Sequence, residues 1–324
     1  MPWDIDDRKF RQVEKTLADV SAQPTEAHPA DHDTRSLDLD VTAPGTPLPP
    51  ETGAGASLAE PGFDDTRLAS STPRKFRVVE RWFGKAAPLG GLSLIPAAPH
   101  AAEAYSIVTG DVLRIGRSKS EVDLVTWFLP RSTRNDVLTK RISRVHARLA
   151  VEDGRIWLTD CGTANGTTLD ASPVTERVAL PTSTHSELTL AGEYKLVIDP
   201  QPIAFPGIEV DGLPPKAPGA PCGAIRFHSL DKMEPQFRTV WLLDQISFGR
   251  GRGCGLRFQD TSLGDLQGVL CQFEGAVWIG VIGGDPAVWL DGEPLDRGLL
   301  APIRGYSTLK IGRAGYSVTE LQVA

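Results

Sequence analysis

Three short turns hold the side chains best suited to chemistry in this 324-residue chain: Gly116-Arg117-Ser118, Ile142-Ser143-Arg144-Val145-His146 and Gly162-Thr163-Ala164-Asn165-Gly166. A guanidinium fork, a hydroxyl and a carboxamide are all donors, and together they suit a compact dianion held by charge-assisted hydrogen bonds, as in phosphate capture. The surrounding charge agrees, since residues 114–148 carry nine Arg or Lys against three acids. Taken singly the residues say little. Ser143 and Asn165 are ordinary turn residues, and Gly-Arg recurs at Gly312-Arg313 with no companion motif. Their joint occurrence in three separated turns is what points to a site.

A binding role is expected over a catalytic one. The chain has no GxxxxGK[ST] loop, GxSxG elbow, HExxH helix or kinase signature. Ser143, His146 and Asp160 have the composition of a catalytic triad, but the serine and histidine share one short turn and no strained nucleophile turn surrounds the serine. The four cysteines, Cys161, Cys222, Cys254 and Cys271, show no CxxC pair or metal-ligand spacing, so they are expected to be buried and reduced. His28 and His32, beside Asp31 and Asp33, sit in an acidic segment and are expected to be solvated. No cofactor and no metal is expected.

Short β-type runs recur from residue 76 onward between Gly and Asp turns, and no long helical pattern interrupts them. Examples are His146 to Val151, Arg155 to Thr159 and Tyr194 to Ile198. This predicts an all-β chain of sandwiches or barrels, in which loops from alternate strands gather at one end. A second series begins at Ala224 and resembles the first. Ile115-Gly116-Arg117 answers to Phe248-Gly249-Arg250, Gly154-Arg155-Ile156-Trp157-Leu158 to Gly275-Ala276-Val277-Trp278-Ile279, and Leu169-Asp170 to Leu290-Asp291. Duplication is the economical reading.

The ordered set Gly116-Arg117, Ser143-x-x-His146 and Asn165-Gly166 after Asp160-Cys161-Gly162-Thr163 resembles the forkhead-associated (FHA) family of phosphothreonine-binding domains. The resemblance spans about residues 75–200, with a repeat in 223–324. It implies two FHA-type β-sandwiches in tandem, the first binding a phosphothreonine peptide through loops at one end. By the same resemblance Arg117 and Ser143 hold the phosphate, Arg144 assists and Asn165 hydrogen-bonds the peptide backbone. Gly116, His146, Thr163 and Gly166 shape the loops. The chain departs from the family in its long Ser118 to Arg141 connection, whose Trp127-Phe128 pair is expected to pack down as a plug. It departs again at Ala164, where some members place Thr or Ser. The second unit keeps Arg250, but Leu263-Gly264-Asp265-Leu266-Gln267-Gly268 offers neither Ser nor His, and Pro286 stands at the register of Asn165, so it is expected to be degenerate.

These readings give an organisation of residues 1–74 as an acidic, mostly disordered tail with a short helix at 4–20, 75–200 as an FHA domain, 201–222 as a Pro-rich linker and 223–324 as a degenerate FHA-like domain. The net charge of -7 is a tail property, because residues 1–73 alone hold 14 acids against 6 bases. That argues against an ordinary nucleic-acid binder, whose folded domain is strongly basic. The acidic start and the lack of a long apolar run predict no membrane insertion and a cytoplasmic location. The expected function is a phosphothreonine-dependent adaptor in Ser/Thr kinase signalling, its partners a phosphothreonine protein and a kinase. Thr16, with Asp19 three residues on, and Thr34, with Leu37, are candidate phosphorylation sites for self-regulation. The rival is a phospho-independent scaffold of a larger assembly such as a bacterial secretion system.

Overall fold

A computed structural model of the chain describes residues 73–78, 91–97, 103–211, 219–230, 237–273, 275–284 and 287–320. The helix expected at 4–20, with Thr16, Thr34, His28 and His32, lies outside the described residues. The described chain is all-β except for one helix, and that helix is neither long nor apolar enough to cross a membrane.

Alternating apolar residues build the strands, numbered along the chain. In β7 (Arg155–Asp160), Ile156 and Leu158 are fully buried while Arg155 is exposed. It pairs antiparallel with β6 (Ala147–Glu152) across Asp153-Gly154, both at positive φ as a tight two-residue hairpin requires. With β4 (Val112–Gly116), β5 (Leu124–Val125) and β10 (Val178–Ala179) they form a five-stranded sheet in the order β10-β7-β6-β4-β5. A seven-stranded sheet runs β13-β1-β22-β19-β18-β16-β17. Its members are β1 (Arg74–Val78), β13 (Ile208–Val210), β16 (Gln245–Gly249), β17 (Leu256–Arg257), β18 (Gly268–Phe273), β19 (Ala276–Val281) and β22 (Leu299–Pro302).

Both sheets pack on a twelve-stranded one. Its N-terminal contributions are β2 (Gly91–Pro96), β3 (Ala104–Val108), β8 (Thr167–Leu169), β9 (Ser172–Pro173), β11 (Ser186–Leu190) and β12 (Tyr194–Gln201). The C-terminal ones are β14 (Ala224–Ser229), β15 (Phe237–Leu242), β20 (Val288–Leu290), β21 (Glu293–Pro294), β23 (Thr308–Ile311) and β24 (Ala314–Glu320). The order is β21-β20-β23-β24-β2-β3-β15-β14-β12-β11-β8-β9.

That order reveals an exchange between the two halves. The hairpin β2-β3, N-terminal in sequence, pairs through β2 with β24, and its Leu92, Leu94, Tyr105 and Ile107 join one core with Phe248, Leu270 and Ile279. Reciprocally, β14 pairs with β12, and Ile225, Phe227 and Trp241 of the C-terminal half join the other core with Ile115, Leu149 and Leu158. The two hairpins meet where β3 runs parallel to β15. Along β15 the side chains alternate between cores, Val240 and Leu242 entering the first and Trp241 the second, so the cores lie on opposite faces of the shared sheet. Each sandwich is thereby completed by the other half of the chain.

The stretch 201–222 does more than link the halves. Gln201 closes β12, and β13 forms an edge of the seven-stranded sheet in parallel with β1. Phe205, Ile208 and Val210 pack with Phe76, Cys271 and Trp278 in a smaller core on that sheet's outer face.

Burying a large apolar side chain contributes about 1.5–3 kcal/mol, so Leu92, Leu94, Tyr105 and Ile107 together supply roughly what a whole domain has as net stability. Residues 73–211 produced without 219–324 therefore lack β14-β15, and neither fragment should unfold cooperatively as a monomer. Co-expressed, the two should copurify as a one-to-one complex. A monomeric 73–211 fragment with a dispersed NMR spectrum and a sharp unfolding transition would refute the need for exchange.

Candidate functional site

The ends of β4, β6 and β7 bring the three turns together. Arg117 N donates to Ser143 O at 3.1 Å and Ser118 N to Arg144 O at 3.2 Å, so the first two turns run side by side. Gly116 permits this approach, because a Cβ there would collide with the carbonyls of Arg144 and Ser143.

His146 ties in the third turn. Its Nδ1 accepts from Ser143 N at 3.0 Å, which leaves Nε2 to carry the proton and donate to Gly166 O, also at 3.0 Å. The ring is fully buried, and burial holds its pKa below the ordinary histidine value, opposed by the Gly166 hydrogen bond and the charge of Asp160. Thr163 completes the brace: its hydroxyl donates to Asp160 at 2.8 Å and accepts from Gly166 N at 3.0 Å. Burial pushes the Asp160 carboxyl up, but hydrogen bonds from Thr163 and Thr167 outweigh it and hold the group below its usual range. Gly166 sits at φ +70, a conformation that glycine adopts without cost.

Between the braced turns opens a cleft of about 490 Å³ lined by Arg117, Glu121, Lys140, Arg141, Ile142, Ser143, Arg144, Val145, Cys161, Ala164 and Asn165. Arg117, Ser143, Arg144 and Asn165 thus share one cavity, while Gly116, His146, Thr163 and Gly166 form its frame. The Arg117 Nε is buried with no hydrogen-bond partner. Arg144 stands largely exposed, 3.6 Å from Glu121. The Asn165 amide donates to Arg141 O at 2.7 Å, tying the third turn to the residue before Ile142.

The long connection from Ser118 to Arg141 contains α1 (Thr133–Arg141), a helix where the sequence offers only a long connection with an aromatic pair. Its signals are polar: Ser132 caps it by accepting from Asn135 N, Asp136 lies in the first turn, and Lys140 and Arg141 in the last. Apolar periodicity is missing, with Val137 exposed and Thr139 the buried residue. The aromatic pair does pack down. Phe128 meets Tyr194 edge-on at 5.1 Å, and Trp127 Nε1 donates to Arg117 O at 2.7 Å while Lys119 and Arg131 lie over its ring.

Lys140 and Arg141, which belong to the basic stretch but not to the expected site, also line the cleft. Cys161 corrects a second expectation: Cys222, Cys254 and Cys271 are buried, but Cys161 is exposed and lines the cleft, because it follows the last residue of β7 where the strand leaves the sheet.

The second unit repeats the frame without the site. Arg250 N donates to Gly264 O and Gly251 N to Asp265 O, with Gly249 again too close to Asp265 for a Cβ. Gln267 stands in for His146, its Oε1 accepting from Gly264 N at 3.0 Å. Asp265 pairs with Arg250 at 3.0 Å, so the retained arginine is already neutralised by its own chain. Pro286 lies outside the described residues.

No curated protein matches the chain. Among solved structures, it is similar to the FHA domain of a Chlamydia trachomatis protein, at 18% identity over 33% of this chain and 93% of that one, with a TM-score of 0.22. It is also similar to the N-terminal FHA domain of S. cerevisiae Rad53p in complex with a phosphothreonine peptide, at 14% identity over 24% and 67% of the two chains, TM-score 0.22. An FHA domain of an Arabidopsis thaliana hypothetical protein matches at 21% identity over 40% and 90%, TM-score 0.23. Independently of these, the family model described as FHA domain matches residues 113–188, the stretch that contains all three turns of the cleft, and on that match the chain carries an FHA domain.

Proposed function

We propose that the chain is a phosphothreonine-dependent adaptor whose first sandwich docks a phosphorylated partner while the second serves as its structural platform. The observation that carries this reading is the convergence of Arg117, Ser143 and Asn165, far apart in sequence, on one open cationic cleft. Arg117, whose Nε has no hydrogen-bond partner, and Ser143 on a braced loop line the same cavity, which supports capture of a doubly charged oxyanion. Val145 and Ala164 give the same cavity apolar lining, which suits the γ-methyl of threonine. Regulation in cis belongs to the proposal: phosphorylation of Thr16 or Thr34 by a Ser/Thr kinase would present a tethered ligand at high effective concentration. Deleting residues 1–72 would then leave the unphosphorylated chain's peptide affinity unchanged and raise that of the kinase-treated chain. A pull-down with and without phosphatase separates the adaptor from the scaffold, since only the adaptor loses its partner.

Arg117→Ala is expected to weaken a phosphothreonine peptide by about 2 to 4 kcal/mol, roughly 30- to 1,000-fold, as read by titration calorimetry. Wild-type affinity in this variant would remove Arg117 from the site.

His146→Ala should strip the brace from both flanking turns and cost about 1–3 kcal/mol of stability, the range for leaving buried polar groups unpaired. His146→Gln should recover much of that loss, because Gln267 does the same work in the second unit. The brace needs neutral imidazole, so its contribution is full above the ordinary histidine value of about 6.5 and is lost as pH falls through the lower folded value. Melting temperature should therefore drop more steeply on acidification in the wild type than in His146→Gln. Parallel pH profiles would show that His146 is not read as the neutral brace.

A further inference from the structure

Arg117 lines the cleft, and its Nε is buried with no hydrogen-bond partner, so no bond at that nitrogen aims the guanidinium. Its direction is set by the backbone that carries it, and that backbone is gripped on both sides of the Cα. On one side Arg117 N donates to Ser143 O at 3.1 Å. On the other, the peptide joining Arg117 to Ser118 donates through Ser118 N to Arg144 O at 3.2 Å and accepts at Arg117 O from Trp127 Nε1 at 2.7 Å. The last bond is the shortest, and it comes from outside the neighbouring turn, from the long connection after Ser118.

The indole is itself held in place. Lys119 and Arg131 lie over its ring at 4.6 and 4.2 Å, and Arg131 pairs with Asp136 of α1 at 3.0 Å. The next residue, Phe128, donates its N–H to Thr139 Oγ1 at 3.1 Å and meets Tyr194 edge-on. Thr139 is buried in the last turn of α1, where its carbonyl accepts from Ile142 N, the residue before Ser143. Trp127-Phe128 is thus a strut from the Arg117 carbonyl to the helix that leads into the Ser143 turn, separate from the His146 brace.

The second unit lacks this strut. Phe258 N donates to Gly249 O as Thr126 N does to Gly116 O, which puts the exposed Gln259 at the register of Trp127. There the Arg250 carbonyl accepts instead from Nε of the exposed Arg257 at 3.3 Å, and the Arg250 guanidinium is paired with Asp265. An indole loses less rotamer freedom than an arginine in holding such a bond. The rigid anchor accompanies the arginine that lines the open cleft.

We infer that Trp127 is a positioning residue for phosphate capture: its indole N–H fixes the Arg117 carbonyl and, through it, the direction in which the guanidinium meets the oxyanion. The inference rests on the phosphothreonine reading and gives the long Ser118 to Arg141 connection a part in the affinity of that site.

The test is a double-mutant cycle on the full chain, read by fluorescence anisotropy with a labelled phosphothreonine peptide well below the unfolding temperature. Trp127→Phe keeps a ring under the two cations and removes the N–H. It should weaken the peptide by about 3- to 10-fold, the scale of one lost hydrogen bond. In an Arg117→Ala background the same substitution should change affinity by less than about 2-fold, because residues that act through one another are not additive. Thr139→Val, which cuts the strut at its other end, takes the place of Trp127→Phe in the cycle if that variant does not fold. A purely structural Trp127 would lower the unfolding temperature and leave the affinity of the folded chain untouched. Wild-type affinity in the strut variant, or the same fold-loss with and without Arg117, would overturn this inference and leave the phosphothreonine reading intact. Failure of the wild-type chain to bind the peptide would overturn both.

Discussion

Everything at the cleft depends on two backbones approaching closer than any side chain allows. Gly116 lets the Arg117 turn lie against the Ser143 turn, and two main-chain hydrogen bonds, Arg117 N to Ser143 O and Ser118 N to Arg144 O, lock them in register. A Cβ at 116 would push the turns apart and move Arg117 away from Ser143. His146 then extends the lock to Gly166 and the Asn165 turn. The residues that line the cleft are thus carried on a frame whose own hydrogen bonds are satisfied inside the protein.

The duplicate shows that frame and chemistry are separable. Around Gly249 the same close approach and the same pair of main-chain bonds persist, and Gln267 supplies the acceptor that His146 supplies in the first unit. What changed is charge and donor type. Gly264 stands where Ser143 does, and Asp265 where Arg144 does, so the retained Arg250 meets a carboxylate from the neighbouring turn. The pair is solvent-exposed and contributes little to stability, so its consequence lies in the charge it removes from the surface.

Much of the site was legible because it is written in residue types at fixed order: Gly116-Arg117, Ser143-x-x-His146 and Asn165-Gly166 need no knowledge of packing to be found. The β class followed from short alternating runs such as Arg155–Asp160. Two features escaped for physical reasons. Helix α1 carries no apolar stripe, since it rests on Thr139 and on the aromatic residues before it, and its cap and end charges alone were too weak a signal. The exchange of β2-β3 with β14-β15 was invisible because the hairpins come from similar halves. Either hairpin offers the alternation that either core accepts, and only the order of strands in the sheet tells which one is used.

That exchange gives the second unit a role even with its own cleft neutralised. The five-stranded sheet that bears the binding turns rests on a core completed by Ile225, Phe227 and Trp241. Trp241 is fully buried, and its indole donates to Gly110 O at 2.8 Å, in the short connection between β3 and β4, the strand that ends at Gly116. Cavities under this strand would loosen the close approach at Gly116 before they reached any group in the cleft. The turns of the cleft therefore depend on core residues of the C-terminal half, whereas Gly264 and Asp265 bond the turn that follows β16 and take no part in that core. The second unit can thus hold its own arginine neutralised while its β14-β15 hairpin supports the cleft of the first.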